Sequence, residues 1–205
     1  MSPSDSARDD LAFLRAVVES GGDDAQRRLG EGYFAAGLCY GVQMLLHLGQ
    51  YLNLVPSEGL VALVVAFGPT VVFTGLMIWL TKRRPSNADA SMIGRALGAV
   101  FAAIGLANIA LIAIIGSQAL RLHNIEIWLI YPCVVLSLQG AAWMIVYALR
   151  RRAWTAVVSA GWFVTGVVMA LSIGHPLAYV LTTGLGLFTL MVAPGVYMMR
   201  RPRES

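Results

Sequence analysis

The stretch NIEIWLIYPCVVLSLQGAAWMIVYALRRR, residues 124–152, decides the fold class, because its long apolar run ends in three consecutive arginines. A helix of about 20 apolar residues crosses the roughly 30 Å hydrocarbon core of a bilayer, since each residue adds about 1.5 Å. Backbone polar groups in lipid must be hydrogen-bonded within the chain, which leaves helices and closed barrels. Because the run is continuous rather than alternating, it predicts a transmembrane helix.

Five similar stretches lie on either side of this one. The predicted spans cover residues 31–53, 59–81, 95–117, 124–149, 153–173 and 177–199. The mean hydropathy of +0.69 and the 58% hydrophobic residues agree, since soluble domains are about 45–50% apolar. The sequence therefore predicts an all-α fold, a six-transmembrane-helix bundle that follows an N-terminal segment at 1–30 and ends in a tail at 200–205.

Positively charged residues occur at alternate ends of the spans. Fourteen of the fifteen Lys and Arg residues lie before span 1, between spans 2 and 3, between spans 4 and 5, or after span 6, and only Arg121 lies at the other ends. Basic residues stay on the cytoplasmic side during insertion, so both termini are expected in the cytoplasm. Abundant Ala, Gly and Arg favour a bacterial inner membrane. Because four junctions share the basic residues, we expect no nucleic-acid partner.

Residues 7–20 predict a short amphipathic helix on the cytoplasmic side, and Gly21 and Gly22 are expected to end it. Its apolar stripe, spaced at i, i+3 and i+7, consists of Leu11, Leu14 and Val18. This stripe can lie on the membrane surface or on the protein's own cytoplasmic face. It can also bind a protein partner, and both interpretations are open at this stage.

Span 1 carries the most polar face of any predicted span. Polar side chains that face lipid are costly, so this face must point into the bundle or into a hydrated cavity. Polar residues of spans 3 and 4 can meet it there. The candidate polar pocket consists of Tyr40, Gln43, His47, Gln50, Asn108 and Gln139. The same side chains can instead join helices through hydrogen bonds, each worth about 0.6 kcal/mol on average.

Each even-numbered span contains one proline, and the odd-numbered spans contain none. Proline removes a backbone hydrogen bond and bends a helix. The candidate hinges are Pro69, Pro132 and Pro194, with static kinks as the alternative. We expect Thr70 and Thr74 to stabilise the backbone beside Pro69.

Two GxxxG pairs, Gly37–Gly41 and Gly94–Gly98, predict close approach of helices. Small residues permit such approach in lipid, where no hydrophobic effect drives helices together. The approach can occur within the chain or in a homodimer.

Catalytic and cofactor-binding motifs are missing from the sequence. HExxH, GxSxG and P-loop patterns do not occur, and the three histidines lack the spacing of metal-ligand pairs. No charged residue lies in the middle of a span, where ion-coupled carriers usually keep one. We therefore expect no enzymatic activity, no metal and no cofactor.

The opening DDLAFLRAVVESGG (9–22) and the closing PLAYVLTTGLGLFTLMVAPGVYMMRR (176–201) resemble the ends of uncharacterised bacterial multi-span membrane proteins of similar length. The resemblance implies a bacterial inner-membrane location and no particular activity. Two functions follow as hypotheses. The first is a non-enzymatic sensor, regulator or accessory subunit that acts through its N-terminal helix. The second is a small permease or solute-binding protein that uses the polar face of span 1.

Overall fold

A computed structural model describes the backbone of residues 3–83 and 92–200 and the side chains of residues 26–83 and 94–200. These ranges are helical, with no strand among them, which confirms the all-α prediction. The helices are α1 (Pro3–Tyr51), α2 (Gly59–Arg83), α3 (Met92–Arg121), α4 (Ile125–Arg150), α5 (Ala153–Leu171), α6 (Pro176–Leu187), a π-helical turn (Phe188–Val192) and α7 (Ala193–Arg200). The predicted tail beyond Arg200 lies outside the described residues.

Five helical segments are long and apolar enough to cross a membrane. They are α2, Gly94–Arg121 of α3, α4, α5 and the continuous segment Pro176–Arg200. Large apolar side chains such as Phe67 and Leu106 are exposed on α2 and α3, as expected for helices that face lipid. The C-terminal half of α1 packs among the five, and its three polar residues at 43, 47 and 50 make it the least apolar. This architecture is that of a multi-pass membrane protein.

α1 is one uninterrupted helix of 49 residues. The prediction that Gly21 and Gly22 end a separate short helix was therefore wrong. Glycine inside a helix costs about 1 kcal/mol relative to alanine but does not forbid helical geometry. An Arg27–Glu31 ion pair of 3.3 Å, one turn apart, supports the helix after the glycines. The side chains of the Leu11, Leu14 and Val18 stripe lie outside those that the structure describes, so the stripe stays a prediction.

α1 is also the central helix of the bundle. It packs against α2, α3, α6, the π-turn and α7. α4 and α5 form the most extensive helix pair, α3 joins them through α4, and α6 joins them through α5. α2 has a substantial contact with α1 alone, and α2 and α3 share no substantial contact with each other.

Glycines bring α1 into close contact with the π-turn. A Cβ atom added at Gly37 would lie 2.9 Å from the Cβ of Met191, and one added at Gly41 would lie 2.8 Å from the Phe188 ring. The first GxxxG pair is therefore used for packing within the chain. In the second pair, a Cβ atom added at Gly98 would meet nothing within 4 Å, so a homodimer through that face stays a prediction.

Pro69 and Pro132 lie inside the continuous helices α2 and α4. Pro194 lies in the first turn of α7, directly after the π-turn. There the backbone N–H of Ala193 donates to the carbonyl of Phe188, five residues earlier. The helix thus widens just before a residue that cannot donate a backbone hydrogen bond. Whether any of the three prolines acts as a hinge stays a prediction.

Near Pro69, a side chain of another helix bonds to the backbone of α2. Gln43 Nε2 on α1 donates to the carbonyl oxygen of Ala66 on α2 at 3.0 Å. Thr70 and Thr74, which we expected to stabilise the backbone here, donate no hydrogen bond to any described residue. Because the carbonyl that Pro69 leaves without a helical donor is that of Val65, the Gln43 bond joins α1 to α2 and does not replace the missing one.

Candidate functional site

A buried hydrogen-bond network joins α1 to α4. Trp143 Nε1 donates to Tyr33 Oη at 2.5 Å, and that hydroxyl donates to Gln139 Oε1 at 2.6 Å. Tyr33 is only 4% exposed, and its ring meets those of Phe101 and Trp143 edge-on, at centroid distances of 6.0 and 5.2 Å. Gln139, predicted for the polar pocket, is therefore committed to helix packing.

The aromatic contacts continue from this network across the bundle. Trp154 on α5 lies between Trp143 and Tyr197, at centroid distances of 5.4 and 5.2 Å. Edge-to-face ring pairs add about 0.5–1.5 kcal/mol each beyond simple burial. The row of rings runs through α3, α1, α4, α5 and α7, so it links five helices and includes no ring of α2.

A second polar group lies on the side of α1 that faces α2. His47 Nδ1 is 2.9 Å from Gln50 Oε1, and Gln50 Nε2 donates to the carbonyl of Pro56 at 3.0 Å. Gln43 donates to α2 as described above. These three residues therefore bond to one another, to the α1–α2 connection or to α2, and the structure does not bring them together with Asn108 or Gln139.

A third polar group is formed by Asn108 on α3 and by Trp128 and Tyr131 on α4, which we call the membrane tyrosine cluster. Tyr131 Oη donates to Asn108 Oδ1 at 3.1 Å. All three side chains are half-buried. Phe73 on α2 packs on Tyr40 at 5.7 Å, and Trp128 stacks on Tyr131 at 5.0 Å.

Tyr40 Oη and Asn108 Nδ2 have no hydrogen-bond partner among the described residues. Neither atom is fully buried. Asn108 lies near the middle of the segment Gly94–Arg121, where water is scarce and an unpaired donor is costly. Its Nδ2 atom is therefore able to donate to a ligand's hydrogen-bond acceptor.

The sequence predicted part of this cluster. Asn108 was in the predicted pocket, whereas Trp128 and Tyr131 were missed. Tyr40, which was predicted with Asn108, packs on Phe73 of α2.

The signal that could have found Tyr131 is the short turn between α3 and α4. This turn makes α3 and α4 neighbours, so that their polar residues can meet. It does not select the pair, because Asn108 lies 13 residues before Arg121 and Tyr131 lies 6 residues after Ile125.

The described side chains give little support for metal binding or for thiol chemistry. Within residues 26–83 and 94–200, no three His, Cys, Asp or Glu side chains are grouped so that they could hold a metal ion. Cys39 and Cys133 are free thiols on different helices. What the cluster offers is neutral hydrogen bonding and aromatic surface. No protein-family model, no curated protein and no solved structure matches this chain.

Proposed function

We propose that this protein is a non-enzymatic sensor or regulatory subunit of a bacterial inner membrane, in which α1 connects the bundle to a partner on the cytoplasmic side. The observation that supports the proposal most is α1 itself. A single helix of 49 residues measures about 74 Å at about 1.5 Å per residue, more than twice a bilayer core. The same helix packs against more of the other helical segments than any other helix does.

Close packing makes α1 suited to carry a change of position. Its glycine face leaves no room against Met191 and Phe188, so a shift of α1 has to be accompanied by a shift of the π-turn and α7. Densely packed interfaces respond by changing between discrete arrangements rather than by deforming gradually. A change at α1 inside the membrane would in this way reach the N-terminal segment.

The charge pattern supports a cytoplasmic location for that segment. α4 and α7 end in basic residues, and Arg150 Nη1 donates to Gln26 Oε1 on α1 at 2.5 Å. Gln26 is 5% exposed, so α1 is held at the basic end of the bundle. Because basic ends stay on the cytoplasmic side, the N-terminal part of α1 would meet its partner there, with the bilayer as the second partner.

Deletion of residues 1–22 tests the proposal. We expect cross-linking in membranes to capture a partner with the full chain and to lose it with the shortened chain, while the thermal stability of the bundle is unchanged. Serine at Leu11, Leu14 and Val18 should have the same effect, and serine at Asp10, Arg15 and Glu19 is the matched control. A deletion that leaves every interaction and phenotype intact contradicts the proposal.

A small permease or solute-binding protein is the second candidate, and the membrane tyrosine cluster is the observation that favours it. The bonds of Gln43, His47 and Gln50 towards α2 weaken the version in which span 1 lines a hydrophilic path. Leucine at both Gln43 and His47 distinguishes the two. Loss of binding or transport in a folded double variant would favour the permease, and unaltered activity would assign these residues to helix packing.

A further inference from the structure

We infer that the turn between α4 and α5 binds a phosphate group through the guanidinium group of Arg152, and that the headgroup of an anionic phospholipid supplies this phosphate. Such a site goes beyond the proposed function and does not depend on it, because it lies at the border of the bundle and not in the N-terminal segment. Its basis is a partly buried positive charge that has no partner.

The guanidinium group of Arg152 is this unpaired charge. Its Nη1 atom is buried and makes no hydrogen bond. Its Nε and Nη2 atoms are not buried, and they also make no hydrogen bond or ion pair with any described residue. A charge that is taken out of water without an opposite charge is strongly unfavourable. An anion that binds to the two accessible nitrogens offsets that cost.

The backbone of Arg152 is fixed by the residues around it. Thr155 is fully buried and donates to the Arg152 carbonyl oxygen from its backbone nitrogen, at 3.0 Å, and from its Oγ1, at 2.7 Å. On the other side, the backbone N–H of Arg151 donates to the carbonyl of Tyr147 at 2.7 Å. The guanidinium group is therefore carried by a short, hydrogen-bonded turn, and a preorganised donor loses less entropy on binding.

Arg152 is also the N-cap residue of α5, and this helix end favours an anion. α5 has 19 residues, no acidic residue in its first turn and no side-chain cap. The first backbone N–H groups of a helix have no acceptor within it, and a guanidinium group cannot supply one. The partial positive charge of a helix N-terminus attracts phosphate groups. The charge of Arg152 and that of the helix end therefore lie together.

Acidic side chains that could pair with Arg152 are scarce. Among the side chains that the structure describes, Glu31 is the acid at the same end of the bundle, and it forms an ion pair with Arg27 at 3.3 Å. The other two, Glu58 and Glu126, lie at the beginning of α2 and of α4, which is the opposite end. The turn thus keeps a positive charge that a phosphate group can balance.

The turn lies at the level of the phospholipid headgroups. α4 and α5 are both long and apolar enough to cross a membrane, and only two residues connect them, so the turn is at the border of the hydrocarbon core. Basic pockets between membrane helices bind anionic headgroups, and the N–H groups of a guanidinium match two phosphate oxygens. A zwitterionic headgroup brings an ammonium charge of its own and therefore fits less well.

Native mass spectrometry of the full chain in detergent tests the inference by counting bound lipids. The probes are phosphatidylglycerol, phosphatidylcholine with the same acyl chains, and inorganic phosphate. We expect a saturable site for phosphatidylglycerol. Arg152→Gln should weaken binding about 10- to 100-fold, as expected when hydrogen bonds between charged groups are lost. Arg152→Lys keeps the charge without the planar fork and should lie in between.

Arg151→Gln is the matched control, because it removes one charge from the same turn at an exposed side chain. It should weaken binding by less than about 3-fold. Equal losses in Arg151→Gln and Arg152→Gln would indicate general attraction between basic residues and acidic lipid, and would overturn the inference. Equal binding of phosphatidylcholine would also overturn it. Displacement of phosphatidylglycerol by inorganic phosphate at equal concentration would refute the lipid as the source of the phosphate.

Thermal unfolding in nanodiscs shows that the variants are folded and provides a second test. In phosphatidylcholine alone, Arg152→Gln should be as stable as the unmodified chain, because no partner of Arg152 is lost. Phosphatidylglycerol should stabilise the unmodified chain and not the variant, since a ligand stabilises the folded state that binds it. A loss of stability that is equal in both lipid mixtures would assign Arg152 to packing and would overturn the inference.

Discussion

Tyr33 is the side chain whose hydroxyl group should matter most for stability. It accepts from Trp143, donates to Gln139 and lies almost fully inside the bundle. Tyr33→Phe keeps the ring and leaves two buried polar groups without their partner. We expect a loss of about 1–2 kcal/mol, above the average of about 0.6 for one hydrogen bond in a membrane. Unfolding in mixed detergent micelles measures it.

The control for this prediction is Tyr51→Phe, at a tyrosine that is 50% exposed. Removing its hydroxyl should change the free energy of unfolding by less than about 0.5 kcal/mol. Equal effects of the two substitutions would mean that the Tyr33 network contributes no more than an exposed phenol.

Gly37 and Gly98 belong to similar sequence patterns but lie in different surroundings. Gly37→Ala places a Cβ atom 2.9 Å from both the Met191 Cβ and the Val192 backbone nitrogen, and backbone cannot move aside easily. We expect about 1–3 kcal/mol of destabilisation from overpacking. Gly98→Ala meets open space and should be neutral or stabilising by up to about 1 kcal/mol. The same micelle unfolding assay compares them.

Destabilisation by Gly98→Ala would contradict this pair of predictions. It would also indicate that a second copy of the chain lies on that face, because no described residue of the chain occupies the space. Sedimentation of the variant in detergent would then show a change from dimer to monomer.

Residue chemistry explains how far the candidate site could be predicted. That Gln43, Asn108 and Gln139 must avoid lipid follows from their type and position alone. Which partner each one takes does not follow, because an amide accepts and donates in any direction. Gln139 is hydrogen-bonded to Tyr33, Gln43 to Ala66 and Asn108 to Tyr131. These partners depend on how each helix is rotated about its axis, which sequence patterns do not determine.

Among the elements, α1 differs most from its prediction, and its continuity can be measured. Nitroxide labels at Ser6→Cys and Arg27→Cys, with Cys39 and Cys133 replaced by alanine, are separated by 21 residues of helix. A continuous helix predicts about 32 Å along its axis at about 1.5 Å per residue. Pulsed electron resonance in nanodiscs should give a narrow distribution near that distance.

Gly22→Pro provides the reference for a broken helix, since proline removes a hydrogen bond and clashes with the preceding turn. It should shorten and broaden the distance distribution. A broad distribution in the chain with Gly22 intact would restore the short, separate N-terminal helix.

The π-turn shows why such elements escape prediction. Pro194 is visible in the sequence, but a proline is equally compatible with a kink, as in α2 and α4. The shift of the Ala193 hydrogen bond to Phe188 depends on what the helix packs against. In this protein the helix packs against the glycine face of α1, which is distant in sequence, so local sequence does not reveal the contact.

For the whole molecule, hydropathy predicted five of the six spans well, because bilayer thickness fixes their length. The predicted first span is part of the 49-residue α1 and is not among the segments apolar enough to cross a membrane. Their order in space did not follow, because membrane helices show little contrast between buried and lipid-facing apolar residues. Leu97 is 4% exposed and Leu106 is 69% exposed on the same helix, yet both are leucine. The central place of α1 was signalled only by its polar face.

The orientation of the whole molecule can be tested from both sides of the membrane. In a chain whose native cysteines are alanine, we place single cysteines at Ser4 and at Ser57, the latter in the α1–α2 connection and exposed. Fourteen of fifteen basic residues lie at the span ends on the side of the N-terminus. Basic residues usually stay in the cytoplasm, so we predict a cytoplasmic N-terminus. A membrane-impermeant maleimide should therefore label Ser57→Cys in intact spheroplasts and should label Ser4→Cys only after lysis. The reverse pattern would place the N-terminal part of α1 outside the cell and would rule out a cytoplasmic partner for it.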